Sequence, residues 1–165
     1  MKSRFHVMSA MALALLLAAA GPAAASTFLK VDLNDLRLMS EAVVHAKVVE
    51  VRSYWNDEGT MIFTEAALQV KGRLQGVSDD LIVVRTVGGT VGDYTVEMSG
   101  APRFQQGEEI VAFISRWSDG VPMIAGYAEG KSKVKQDSIG QLVLEGGLAD
   151  GLPVSELARQ LKNNR

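Results

Sequence analysis

The most constraining feature of this sequence is a two-residue alternation of apolar and polar side chains over residues 62–71. Alternate positions of this stretch would face one way: Ile62, Thr64, Ala66, Leu68 and Val70. This period is typical of a strand with one face on a core. A second alternation, over residues 43–55, changes face at Val49 and Val51. Such a shift predicts a β-bulge that bends a long strand.

Glycine-rich turns separate further strand patterns, so the sequence predicts a mainly β fold. The main strands are predicted over residues 43–55, 61–74, 81–87, 109–117 and 121–134, the last of them interrupted by Gly126 and Gly130. Residues 109–115 are apolar at successive positions, which predicts a strand covered on both faces. The architecture that fits short strands and a bent first strand is a small OB-like barrel, with a β-sandwich as the alternative.

Both ends of the β region carry a predicted short helix. Near the N-terminus, Leu33, Leu36 and Met39 recur at helical spacing, and Asp32 is a candidate N-cap. At the C-terminus a helix is predicted over residues 153–163, with its apolar stripe at Val154, Leu157, Ala158 and Leu161.

The first 25 residues have the pattern of a secretory signal peptide. Basic residues precede an apolar run over residues 7–20, and a Gly-Pro break leads to Ala23-Ala24-Ala25. Cleavage after Ala25 would leave residues 26–165 as a single β-barrel-like domain, periplasmic or extracellular. A retained membrane anchor is the alternative reading of this segment. No later segment approaches the roughly 18 apolar residues of a membrane span.

The net charge and the cysteine content limit which partners and which stabilising bonds the protein can have. Cleavage would remove Lys2 and Arg4, leaving 15 basic against 19 acidic residues. Without a cluster of Lys and Arg, nucleic acid is not an expected partner. The chain has no cysteine, so we expect its core to hold the fold without disulfides.

The stretch "VGGTVGDYTV" (residues 87–96) raises the question of a phosphate-binding loop. Such a loop needs glycines between a strand and a helix, whereas this one leads from strand to strand. The string "GKS" at residues 130–132 lacks the earlier glycine of a nucleotide loop. The glycines are therefore interpreted as turns, bulges or close approaches of backbone.

Four segments together resemble an uncharacterised family of exported bacterial proteins: "IFTEAALQVKGRLQG", "VGGTVG", "GAPRFQQGEEIVAFI" and "GYAEGKSKV". The resemblance implies an OB-like fold and no particular activity. A more distant similarity is to the netrin-like barrel of tissue metalloprotease inhibitors. It implies that the mature N-terminus, Ser26 and Thr27, would enter the cleft of a secreted metalloprotease. Those inhibitors hold their amine with a disulfide-tied cysteine, and this chain has Ser26 instead.

The sequence offers few residues suited to catalysis or to metal binding. His45 is the one histidine outside the predicted signal peptide, whereas zinc sites and catalytic triads need more partners. The clustered carboxylates of residues 55–59, 78–80, 107–109 and 118–120 fall in predicted turns, where Asp, Asn and Gly have backbone roles. We therefore expect no cofactor, no metal and no enzyme, with a hydrolase as the weakest alternative.

Both tryptophans stand just before turns, in "SYWNDEG" and "SRWSDG". In an OB barrel the first–second and fourth–fifth connections flank the ligand-binding face. Tyr54, Trp55, Arg116 and Trp117 are thus predicted to bind a protein or peptide partner, because these residue types are rich in binding hot spots. The alternative is that both indoles close the barrel end as core.

Overall fold

A computed structural model describes residues 31–163. The predicted signal peptide of residues 1–25, together with Ser26 and Thr27, lies outside the described residues. The elements are, in chain order, helix α1 (Leu33–Met39), strands β1 (Ala42–Trp55), β2 (Ile62–Gln75), β3 (Leu81–Val87), β4 (Gly89–Val91), β5 (Tyr94–Val96), β6 (Glu109–Arg116) and β7 (Pro122–Ile124), a 3-10 turn (Tyr127–Gly130), strands β8 (Lys131–Gln136) and β9 (Leu142–Glu145), and helix α2 (Val154–Asn163).

Seven of these strands form one antiparallel sheet. Its order is β3-β2-β1-β6-β8-β9, and β7 also pairs with β6. The ladder does not close on itself, although β7 lies in contact with β3. Strands β4 and β5 form a separate two-stranded hairpin. The predicted mainly β class and both short helices are confirmed, and the described part of the chain has no helix long and apolar enough to cross a membrane.

Strand β1 is long and bent, as the change of face in its sequence predicts. The register with β2 shifts between Val48 and Glu50, which confirms the bulge. Val49, the extra residue, is 39% exposed, and Val51 packs again on the same core as Val48. Because of this bend, only the first half of β1, up to Lys47, pairs with β6. Its second half pairs with β2 alone and carries Trp55 at its end.

Two hydrophobic clusters lie on opposite faces of the sheet, and β6 contributes to both. Ile110 and Ala112 belong to the cluster between the curled strands, while Val111 and Phe113 belong to the cluster beneath the helices. Successive strand residues point to opposite faces, so a strand covered on both sides must be apolar throughout. The prediction for residues 109–115 is confirmed.

The two helices cover the second cluster. Asp32 caps α1 through a reciprocal capping box with Asp35, as the sequence predicts. Leu36 of α1 and Leu157 and Leu161 of α2 are buried there. The predicted C-terminal helix is confirmed, with its first helical residue at Val154.

The predicted interruption of the strand over residues 121–134, at Gly126 and Gly130, is confirmed. Strand β7 ends at Ile124, and a 3-10 turn intervenes before β8. Gly126 has φ +65°, and a Cβ there would run into the Leu36 side chain, while a Cβ at Gly130 would meet the Ala125 carbonyl. The glycines that mark the break are visible in the sequence, whereas the packing of α1 against Gly126 is a long-range contact that the sequence does not show.

Candidate functional site

An open cleft of about 340 Å³ lies on the inner side of the bent sheet. Its walls come from the second half of β1, the start of β2, and the end of β3 with the β4–β5 hairpin that follows. The segment Ala101–Phe104 completes the rim. The bend in β1 creates this space, because it carries the end of the strand away from β6. The volume is at the small end of the range for ligand pockets.

The cleft wall carries a chain of hydroxyl groups with a defined direction. The Thr64 hydroxyl donates to the Gly88 carbonyl at 2.7 Å, since a carbonyl oxygen can only accept. The 2.8 Å hydrogen bond between Ser53 and Thr64 must therefore have Ser53 as its donor. Ser53 Oγ is left with free acceptor lone pairs and no free proton. Thr90 and Thr95, also on the wall, are hydrogen-bonded to each other at 2.9 Å.

Gly89 is required next to this hydroxyl chain. Its φ is +135°, which side chains rarely adopt. A Cβ at Gly89 would also lie 2.5 Å from Ser53 Oγ and closer still to Thr64 Oγ1. The interpretation of this glycine stretch as a close approach of backbone is confirmed at Gly89.

Trp55 ends β1 on the same face as Ser53, two residues earlier. Its ring meets Tyr94 edge-on, with ring centroids 5.7 Å apart and an interplanar angle of 72°. Such edge-to-face pairs are favoured by the quadrupoles of the two rings. Trp55 is half-buried, and Tyr94 is 66% exposed. This aromatic pair lies next to the cleft in sequence, beside Ser53 and Thr95, but outside the residues that line it.

Trp117 is the first residue of the β6–β7 turn, and its side chain contacts the end of β3. Its indole Nε1 donates to the Arg85 carbonyl at 3.3 Å, and the side chain is half-buried. Together with Met98 and Pro102 it lines a small recess that shares part of its wall with the cleft. The segment of residues 94–102 thus contacts Trp55 at one end and borders Trp117 at the other.

Tyr54 faces away from the cleft, into a charged network on the outer face of β1, β2 and β3. Its hydroxyl donates to Glu65 Oε1 at 2.7 Å, and Arg52 and Arg85 reach the same carboxylate at 3.2 and 3.4 Å. Arg85 also stacks over Phe63, 5.6 Å from the ring centre. Tyr54 is thereby joined to the strand whose carbonyl holds Trp117.

The network shifts the acidities of its members. Burial alone would raise the pKa of Glu65, but hydrogen bonds from Tyr54, Arg52 and Arg85 outweigh it and hold that pKa below its ordinary 4.5. Burial and the hydrogen bond to Glu65 raise the pKa of Tyr54 above 10.0. The carboxylate is thus fixed as an anion and the phenol as a neutral donor.

The Arg116 side chain makes its contacts away from those of its neighbour Trp117. Its guanidinium binds Glu41 at 2.9 Å and the Gly120 carbonyl at 2.9 Å. Half of its side chain is exposed. Of the four predicted binding residues, Arg116 is therefore directed to the start of β1, Tyr54 to the outer face, and the two tryptophans toward residues 94–102.

His45 lies outside this region, in the first half of β1, where β1 pairs with both β2 and β6. Its Nε2 is 3.2 Å from Glu109, which also binds the Lys71 ammonium. The hydrogen bond from Lys71, helped by His45, lowers the pKa of Glu109 despite partial burial. Within residues 31–163 no three His, Asp or Glu side chains converge as metal ligands would.

Comparison with protein-family models and with curated proteins gave no match to this sequence, and no solved structure matched the fold. The resemblances to the exported bacterial family and to the netrin-like barrel stay predictions.

Sequence reasoning missed most of the cleft. Ser53, Thr90 and Thr95 carry no motif, and Thr64 was predicted only to face inward. One signal in the sequence could have indicated the cleft. Residues 51, 53 and 55 of β1 lie on the same face of the sheet as residues 62 and 64 of β2, next to the paired glycines at 88 and 89. These residues come together only in the observed register of β1 against β2, and the bulge in β1 sets that register.

Proposed function

We propose that this protein is an exported, non-catalytic binding module that docks a protein or peptide partner at the end of the sheet carrying Trp55 and Trp117. The observation that supports this most is that both indoles are half-buried and border the same segment, residues 94–102, beside an open cleft. Indoles that only closed a core would have little surface left to offer.

The chemistry of this region suits recognition. Trp, Tyr and Arg dominate binding hot spots because rigid rings supply large contact areas at low entropic cost. Trp117 is held by its hydrogen bond to the Arg85 carbonyl and Trp55 by the Tyr94 ring. Both rings are thus oriented before a partner arrives, which lowers the cost of ordering them on binding.

The finer fold assignment that accompanies this function is a partly open OB-like barrel. Two contacts support it over a β-sandwich: β7 lies beside β3, and the Trp117 indole bridges the β6–β7 turn to Arg85 of β3. In such a barrel the turns after β1 and β6 flank the binding face.

The test is capture of a partner by the purified, exported protein from the native periplasm or culture fluid. Trp55→Ala and Trp117→Ala are compared with the parent protein and with a control, Ile139→Ala. Ile139 is 83% exposed in the β8–β9 turn, away from the cleft. We expect each tryptophan variant to lose at least about tenfold in partner affinity, the scale of a hot-spot residue, and the control to bind as the parent does.

The stability of the same variants separates a docking surface from a core lid. Docking predicts that each tryptophan variant loses less than about 2 kcal/mol of unfolding free energy, because each indole keeps part of its surface in solvent and lies outside the two buried clusters. A loss of about 3–5 kcal/mol, typical of a core tryptophan, or unchanged capture by both variants, contradicts the proposal.

A further inference from the structure

We propose that the cleft beside Ser53 takes the backbone of an extended peptide segment and recognises it through a neutral N–H donor. This rests on the proposed function, because it names the ligand chemistry of the same end of the sheet. It adds that a hydroxyl acceptor, and not a charge, makes the central contact.

The direction of the hydrogen bonds makes Ser53 an acceptor. Thr64 uses its proton on Gly88, and Ser53 uses its proton on Thr64. The Ser53 oxygen, on the cleft wall, can therefore only receive a hydrogen bond from a ligand. A carbonyl or carboxylate placed against it would find no donor there.

Charge in the cleft is balanced. The charged residues that line it within the described chain are Glu97 and Arg103, and they bind each other at 2.7 Å on the exposed rim. A ligand ammonium or carboxylate entering the cleft would lose water without meeting a free opposite charge, which is costly. A peptide N–H needs only one acceptor and suits this wall.

A sugar is a poorer fit than a peptide inside the cleft. Sugar rings stack on open aromatic faces, and among the described residues that line the cleft Phe104 is the aromatic one, since Trp55 and Tyr94 lie outside its lining. The Lys131 ammonium lies 5.1 Å from the centre of its ring and occupies one face. Residues of the short strands β4 and β5, namely Gly89, Thr90, Thr95 and Val96, instead line the space in which a strand-like segment would run.

Two small amides that differ in their N–H group test whether a ligand N–H donor is recognised. N-methylacetamide carries one peptide-like N–H, and N,N-dimethylacetamide keeps the carbonyl but has none. Each is titrated into the isotope-labelled exported protein while backbone amide NMR shifts are followed. We expect shifts concentrated at Ser53, Thr64 and Gly88–Thr90, and an apparent affinity about fivefold higher for N-methylacetamide, the scale of one hydrogen bond.

Ser53→Ala removes the acceptor, and Ser138→Ala in the exposed β8–β9 turn is its matched control. We expect the first variant to lose the preference between the two amides and the control to keep it. Equal binding of the two amides by the parent protein overturns the proposal, as does absence of binding in the cleft. Tighter binding of methylammonium, acetate or methyl glucoside there also overturns it.

The outcome is separable from that of the proposed function. The amide preference is measured without a partner, so it can stand if partner capture does not depend on the tryptophans. Partner capture can equally depend on the tryptophans while the amide preference is absent. In that case the partner docks on the rims and leaves the cleft unused.

Discussion

At the scale of single residues, Glu65 organises the outer face beside the proposed docking end. One carboxylate, 19% exposed, receives the Tyr54 hydroxyl and two guanidinium groups. Hydrogen bonds to a charged acceptor contribute more than neutral ones. The Arg52 contact adds little, because 67% of that side chain is in solvent. Glu65 therefore stabilises the fold mainly through Tyr54 and Arg85.

Glu65→Gln tests this network. The amide keeps one acceptor but turns a donor toward the arginines, so we expect a loss of about 1–3 kcal/mol in unfolding free energy, measured by denaturant titration at pH 7. Glu145→Gln is the control, since its carboxylate is 52% exposed and pairs with exposed Lys135; it should change stability by less than about 0.5 kcal/mol.

The same pair of proteins predicts a pH dependence. The folded pKa of Glu65 lies below 4.5, so its stabilisation is present above the unfolded pKa and is lost as pH falls through the folded value. The difference between the parent protein and Glu65→Gln should shrink as pH falls below 4.5. A difference that stays constant or grows in acid contradicts the assigned role.

At the scale of elements, local patterns predicted what local forces determine. The alternation in β1 located the bulge at Val49, and helical spacing located α2 to within one residue of its start. The interruption of the strand over residues 121–134 was readable from Gly126 and Gly130, but the packing of Leu36 from a distant helix against Gly126 was not. Patterns that depend on neighbours in sequence were readable, whereas contacts between distant segments were not.

Leu157→Ala tests whether α2 is an integral cover of the sheet. Leu157 is fully buried against the second cluster, so we expect a loss of about 2–5 kcal/mol in unfolding free energy. Arg159→Ala, on a side chain 69% exposed, should cost less than about 0.5 kcal/mol. Similar, small losses for both variants in denaturant titration would mean that α2 is only loosely attached.

At the scale of the whole molecule, the sequence predicted the mainly β class, which the structure confirms. Partner binding by the four selected residues stays a prediction, and their grouping in space was not predicted. Arg116 turns to Glu41 and Tyr54 to Glu65, away from the tryptophans. Predicting the cleft would have required the register of β1 against β2, because that register places Ser53 opposite Thr64. Side-chain identity was readable from the sequence, and three-dimensional grouping required the fold.

Export is a separate prediction at this scale. N-terminal sequencing of the protein recovered from the native periplasm or culture fluid should begin at Ser26, because the Ala-x-Ala site ends at Ala25. A sequence beginning at Met1 in the membrane fraction would indicate a retained anchor. A start at any residue other than Ser26 would also remove the basis for protease inhibition through Ser26 and Thr27.

The most direct test of partner docking is backbone amide exchange of the exported protein with and without its captured partner. The account predicts slower exchange on binding in residues 53–56, 86–104 and 117–121, with β9 and α2 unchanged. Slower exchange confined to β9 and α2, with none around either tryptophan, would contradict it.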